Sequence, residues 1–195
     1  MLFLGFTIHL NNMLNTQIEQ ERSFLLSRDF LAELPKYYPN ARTQFILQTY
    51  LFVRPKFEVR VRTYFHELHN NEFTIKIKSS TFSTKRREIN FKIPTFLAYK
   101  LHRLFSDHQI SKYRWILPKE AYQSACPNIT ECIIDYYRAV PRETEIKYPV
   151  QLQELKNNGR CEIEFVGSLG KLPDFVGTEI TGVKEYSNYA MANIF

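Results

Sequence analysis

The chain has 195 residues, 44% hydrophobic and 24% charged, with a formal net charge of +6. This is enough apolar material for one domain with a sizeable core, and it excludes an intrinsically disordered chain. The basic balance favours an anionic partner: a phosphate compound, a nucleic acid or an acidic surface.

The opening Met1–Phe6 is apolar but short, lacks a basic region and soon gives way to Asn11 and Asn12. It reads as neither signal peptide nor membrane span, so no membrane partner is expected. Residues 1–16 read as an N-terminal extension, with Met13 a natural alternative start, and residues 17–195 as one domain. Cys126, Cys132 and Cys161 have no metal-ligand spacing. An odd count without secretory context reads as free thiols in a reducing, cytoplasmic compartment. The Asn128-Ile129-Thr130 sequon is then a chance match.

Ile18–Leu26 (IEQERSFLL) reads as a strand with Glu19 and Glu21 on one face. Ser27–Leu34 reads as a short helical turn stopped by Pro35. Thr43–Val53 is β-branched and aromatic, hence a strand. In Glu58–Arg62 (EVRVR), Glu58, Arg60 and Arg62 share one face and valines the other. Thr74–Lys78 (TIKIK) repeats the pattern with Lys76 and Lys78. In Lys85–Ile93, Arg86, Glu88, Asn90 and Lys92 oppose Ile89, Phe91 and Ile93. Glu67–Asn71 and Ser79–Thr84 are turn-like, and His66-x-x-His69 reads as a solvated turn rather than a metal site.

Pro94 opens a helix with an apolar stripe at Leu97, Leu101, Leu104 and Phe105. Ile110–Leu117 is a strand with Lys112 and Arg114 on one face, and Pro118–Thr130 a polar loop. Cys132–Tyr137 is a strand carrying Asp135, and Arg138–Pro149 is charged and irregular. Val150–Lys156 reads as a short helix ended by Asn157-Asn158-Gly159. Arg160–Val166 is a second Glu-x-Glu strand, with Glu162 and Glu164 together. The fold class is α+β, mostly β.

One alternating charged strand is ordinarily a solvated sheet face. Six in one chain, with charge sorted by strand, point to something else. A closed sheet would gather them inside, where unpaired arginines are costly unless a polyanion meets them. Arginine forks suit phosphate oxygens. Carboxylates would repel a polyphosphate directly but tolerate it through divalent cations.

The ordered set of motifs resembles the CYTH family, the triphosphate tunnel metalloenzymes. Ile18–Leu26 resembles its Glu-x-Glu-x-Lys strand, with Ser23 in the place of the lysine. Gln48–Phe52 (QTYLF), Glu58–Arg62, Ile77-Lys78-Ser79, Arg86-x-Glu88, Lys112-Tyr113-Arg114, Asp135, Glu162-Ile163-Glu164 and Gly177–Asn188 follow in the family's order. Asn90 and Ile133 stand where the family has acids.

The resemblance implies a closed eight-stranded antiparallel β-barrel, a tunnel, with flanking helices, as a monomer or homodimer. It implies Mg²⁺ or Mn²⁺ held by Glu19, Glu21, Glu162 and Glu164. Phosphate would be bound by Arg60, Arg62, Lys76, Lys78, Arg86, Lys112, Arg114 and Lys184. Glu19, Glu21, Glu88 and Asp135 would be catalytic.

The implied reaction is metal-dependent hydrolysis of a triphosphate-containing small molecule, most simply inorganic triphosphate. The alternatives are class IV adenylate cyclisation, hydrolysis of thiamine or nucleoside triphosphates, and a silent triphosphate- or nucleotide-binding module, which Ser23 and Asn90 motivate. A nucleic-acid-binding β protein ranks last, because the paired acids would weaken such binding.

Overall fold

The computed structural model of this chain describes residues 15–27, 34, 38–65, 70–78, 85–138 and 159–192, excepting the side chains of 15–19 and 85. Met1–Phe6, His66-x-x-His69 and the expected helix at Val150–Lys156 lie outside the described residues, as does nearly all of the expected turn at Ser27–Leu34.

The strands are β1 (Asn15–Leu26), β2 (Arg42–Arg54), β3 (Phe57–Tyr64), β4 (Asn70–Lys78), β5 (Lys85–Lys92), β6 (Gln109–Ile116), β7 (Ile129–Arg138), β8 (Arg160–Phe165) and β9 (Val176–Glu179). Two α-helices accompany them, α1 (Thr95–Leu104) and α2 (Asn188–Ala192). All strand pairs are antiparallel and form one sheet in the order β5-β4-β3-β2-β6-β7-β8-β1-β9, with a further β5–β1 pairing.

This corrects the expectation of a closed eight-stranded barrel. The sheet has nine strands, and its ladder does not run continuously around β1. Asn15–Gln20 pair with β5, and Glu21–Leu25 pair with β8. No β1 residue therefore has ladder partners on both of these neighbours. The physical reason is competition for an edge. Phe24 and Leu26 pair with Glu179 and Val176 of β9, so β9 takes the side of β1 that β5 would need in order to continue.

The alternation read from the sequence sets the faces. On β3, Val61 packs into the sheet's outer layer while Arg60 and Arg62 turn to the concave side. One apolar cluster, built on Phe24, Ile134, Cys161, Ile163 and Phe165, backs β1, β7 and β8. A second, of Tyr50, Ile110, Tyr137, Ile180, Met191 and Ala192, brings α2 against β2, β6 and β7.

The α1 stripe is also corrected. Leu104 is 75% exposed and Leu97 37% exposed, while the helix buries Ala98 and His102. Hydrogen bonding decides the face. His102 Nδ1 meets Thr49 Oγ1 at 2.5 Å and its Nε2 meets Thr63 Oγ1 at 2.8 Å, tying α1 to β2 and β3. Thr63 gives its one proton to Asn71 Oδ1 at 2.7 Å. His102 Nε2–H must therefore donate to Thr63, and in the neutral ring Nδ1 accepts from Thr49. Burial pushes its pKa down to about 4, in agreement. No helix among the described residues is long and apolar enough to cross a membrane.

Candidate active site

The concave side of the sheet encloses a cavity of about 260 Å³ whose lining is almost wholly polar. Its charges are sorted by strand. β7, β8 and β1 contribute Glu131, Glu162, Glu164 and Glu21 and no cation. The remaining strands contribute Arg42, Arg60, Arg62, Lys76, Arg86 and Arg114, with Glu72 and Glu88 among them. An acidic wall thus faces a basic one, and the formal charges of the described lining cancel.

The acidic wall follows from register. Glu131 is the Cα partner of Glu164, and Glu164 that of Glu21, so three carboxylates stand in one row across three strands. Like charges directly opposite each other are destabilising, and such a row needs a cation. Arg86 meets the need from β5. Its Nη2 is ion-paired with Glu21 and lies 4.0 Å from Glu164 Oε1.

The basic wall is held by its own carboxylates. Arg60 donates to Glu58 at 2.8 Å and to both oxygens of Glu88 at 3.2 and 3.1 Å. Lys76 and Arg86 reach Glu88 at 3.5 and 3.0 Å. Burial opposes ionisation of Glu88, but Arg60, Lys76 and Arg86 outweigh it and hold the carboxyl well below its usual range. Arg62 donates to Gln48 at 2.8 Å.

Behind the cavity lies a second charged layer. Asp135 is fully buried and accepts a two-pronged hydrogen bond from Arg114, both arms 2.8 Å. Lys112, equally buried, pairs with Asp135, and Arg160 stands 3.8 Å from it. Arg114 bonds Glu162 at 2.7 Å, and Arg160 pairs with Glu162 as well. Burial and then Arg114 push the Lys112 ammonium down to about 7, against the pull of Asp135. Burial opposes ionisation of Asp135, but Arg114 and Lys112 hold its carboxyl below the ordinary value.

Of the residues expected to form the site, Glu21, Arg60, Arg62, Lys76, Arg86, Glu88, Arg114, Glu162 and Glu164 line the cavity. Lys112 and Asp135 do not: they sit in the layer behind Arg114. Lys78 and Lys184 are also outside the lining, Lys184 in a short 3₁₀ turn beyond β9. The Glu19 side chain is outside the described residues, and its backbone pairs with Arg86. Among the described residues no three His, Cys, Asp or Glu side chains stand close enough together to hold a metal ion.

Three lining charges escaped the sequence reading: Arg42, Glu72 and Glu131. Each lies at a strand end that was drawn one or two residues short. Extending the same alternation from Gln44, Thr74 and Ile133 finds all three.

No protein-family model matches the chain, and neither does any curated protein sequence. Among solved structures, the crystal structure of NE1496, described as a hypothetical protein, is similar with a TM-score of 0.51 at 19% identity, over 90% of this chain and 97% of that one. A second NE1496 crystal structure, described as an inorganic triphosphatase, has the same score and identity over 89% and 96%. A conserved hypothetical protein from Pyrococcus furiosus gives 0.49 at 17%, over 77% and 80%. At these identities the likeness to NE1496 is one of fold: this chain has a triphosphatase-like fold.

Proposed function

We propose that this chain binds a triphosphate in the charged cavity and hydrolyses it with Mg²⁺ or Mn²⁺, as a CYTH-type triphosphatase. Inorganic triphosphate is the simplest substrate. The observation that carries this reading is the sorted lining, with four carboxylates on β7, β8 and β1 facing the cations of the other strands. The fold it shares with NE1496, an inorganic triphosphatase, supports the reading.

The charge balance also bears on the metal. A triphosphate entering a neutral lining brings negative charge that the walls do not cancel, so it must bring cations with it. Glu131, Glu164 and Glu21 stand in one register row and carry carboxylate oxygens of the kind hard divalent cations take, with Glu162 and Glu19 on neighbouring positions, and an ion would have to draw them closer together than they stand in this structure. In donor chemistry these residues fit. A bound ion would withdraw charge from a phosphoryl oxygen.

The chain's own residues supply the rest. Arg60, Arg62 and Arg114 line the cavity and bring guanidinium charge to phosphate oxygens. Glu88, held ionised by three cations, is too weak a base for proton transfer and instead orients Arg60, Lys76 and Arg86. Asp135 orients Arg114 from behind.

A second reading, binding without turnover, is favoured by Ser23. It lies opposite Glu162 in the β1–β8 register, and its backbone N–H donates to Thr181 Oγ1 at 3.0 Å. The family's lysine is missing there, and Lys76 is the one lysine in the described lining.

The test is phosphate release from inorganic triphosphate, ATP and thiamine triphosphate with Mg²⁺ and with Mn²⁺, for wild type and Glu21→Gln. Release that the substitution abolishes supports the triphosphatase. Binding by calorimetry without release supports the silent module. Absence of both refutes the triphosphate reading.

A further inference from the structure

Six buried side-chain polar atoms among the described residues lack a hydrogen-bond partner, and three of them fall in one cross-strand row. Thr74 of β4 is the Cα partner of Arg60 on β3 and of Asn90 on β5. The unpartnered atoms are Arg60 Nε, Thr74 Oγ1 and Asn90 Oδ1. Thr74 is 0% exposed and Arg60 3% exposed, while Arg60 and Asn90 both line the cavity. Both terminal nitrogens of Arg60 are engaged by Glu58 and Glu88, which leaves Nε as the one guanidinium nitrogen with no partner.

Leaving one such atom unpaired costs about 1–3 kcal/mol, and three on one cross-strand row would be exceptional in a native fold. The chemistry of the three atoms defines what satisfies them. Nε–H only donates, the Asn90 carbonyl only accepts, and the Thr74 hydroxyl does either. A phosphate oxygen has no proton for Asn90, and an ammonium has no lone pair for Arg60. A group that both accepts and donates is required.

We propose that the Arg60–Thr74–Asn90 row is a subsite for a neutral O–H group, set in the floor of the basic wall and separate in kind from the phosphate-binding charges. That group is the hydroxyl of an organic triphosphate or a resident water. The position where the CYTH pattern has a second acid would thereby serve recognition of a neutral group. The ligand-hydroxyl case rests on the triphosphate reading, whereas the resident-water case does not.

The experiment compares wild type with Thr74→Val and Asn90→Leu by two measurements. Calorimetry gives the affinities of inorganic triphosphate, ATP and 2′,3′-dideoxy-ATP, and thermal denaturation gives Tm without ligand. If a ligand hydroxyl fills the row, wild type prefers ATP to its dideoxy analogue by about tenfold, the worth of one neutral hydrogen bond, and both substitutions collapse that ratio toward one. If water fills it, the ratio is near one throughout and both substitutions lower Tm, because they strip partners from an occupied site. A Tm that is unchanged or raised, with no change in the ATP preference, overturns the proposal: the atoms are then truly unpaired, and apolar isosteres relieve their burial. If no ligand binds wild type, the triphosphate reading fails, and the Tm comparison still decides the row.

Discussion

Asp135→Asn isolates what the layer behind the cavity does. The change is nearly isosteric, so packing is kept and only charge is lost. In the native protein Lys112, Arg114 and Arg160 are balanced by Asp135 and Glu162. The substitution leaves three buried cations facing one carboxylate and, because the amide has a single oxygen, keeps at most one of the two 2.8 Å bonds that fix the Arg114 guanidinium. Breaking a buried pair by removing one partner costs about 3–5 kcal/mol, a large share of a domain's total stability of roughly 5–15 kcal/mol. One escape is available. Asp135 is what holds the Lys112 pKa up near 7, so without it that pKa falls further and the lysine sheds its proton near neutrality. The loss should therefore be largest at pH 6, where the unfolded chain keeps that lysine charged and the folded variant must either charge it or forgo the proton. It should shrink by pH 8.5, where wild type itself has largely lost the proton. Urea denaturation of both proteins at pH 6 and pH 8.5 gives the four free energies. A loss below about 1 kcal/mol at pH 6, or equal losses at both pH values, would refute the account of Asp135 as the hub of a buried ion network.

His102 should give the protein an acid-sensitive component of its own. Its folded pKa of about 4 lies below the ordinary 6.5, so the unfolded chain gains a proton that the folded one refuses. Stability falls by about 2 kcal/mol between pH 7 and pH 5 from this group alone, and His102→Gln should flatten that segment of the urea-midpoint profile. Glu131→Gln should weaken Mn²⁺ binding, followed by calorimetry or paramagnetic broadening, by about tenfold; an unchanged affinity removes Glu131 from the donor set. In Gly177→Ala the new Cβ would lie 2.9 Å from the Leu25 carbonyl oxygen. β9 must then shift off β1, lowering stability by about 1–3 kcal/mol, and a urea midpoint equal to wild type would count against that contact.

The inward faces of β3, β4, β5, β6 and β8 were legible in the sequence, because period-2 alternation fixes a face as soon as one residue is placed. Depth was not. Lys112 and Arg114 share a face on β6, yet only Arg114 reaches the cavity, since Tyr50, Tyr137 and α2 close the end nearest Lys112. The missed charges Arg42, Glu72 and Glu131 fell where strand ends carry polar residues that look like loop. At Glu131 the ladder also shifts register, between Ile129 and Glu131. The face of α1 was misread because leucine spacing was weighed and a histidine that could bond two threonines was not. β9 escaped because four residues beginning Val176-Gly177 carry no alternation to read, and β9 is also what keeps β5 from continuing along β1.

The divided pairing of β1 ties the site to chain completion. Glu21 and Glu164 face each other in register from positions 143 residues apart, so the acidic wall joins the two ends of the domain. The basic strands β3, β4 and β5 are sequence neighbours, linked by local hairpins that form early. During synthesis the cationic half therefore exists first, with Arg86 and its neighbours lacking the carboxylates of β8. Until β8 has docked, Arg86 has Glu21 and Glu88 for partners but not Glu164, and Arg114 lacks Glu162. Docking of β8 against the second half of β1 is the step that completes the acidic wall.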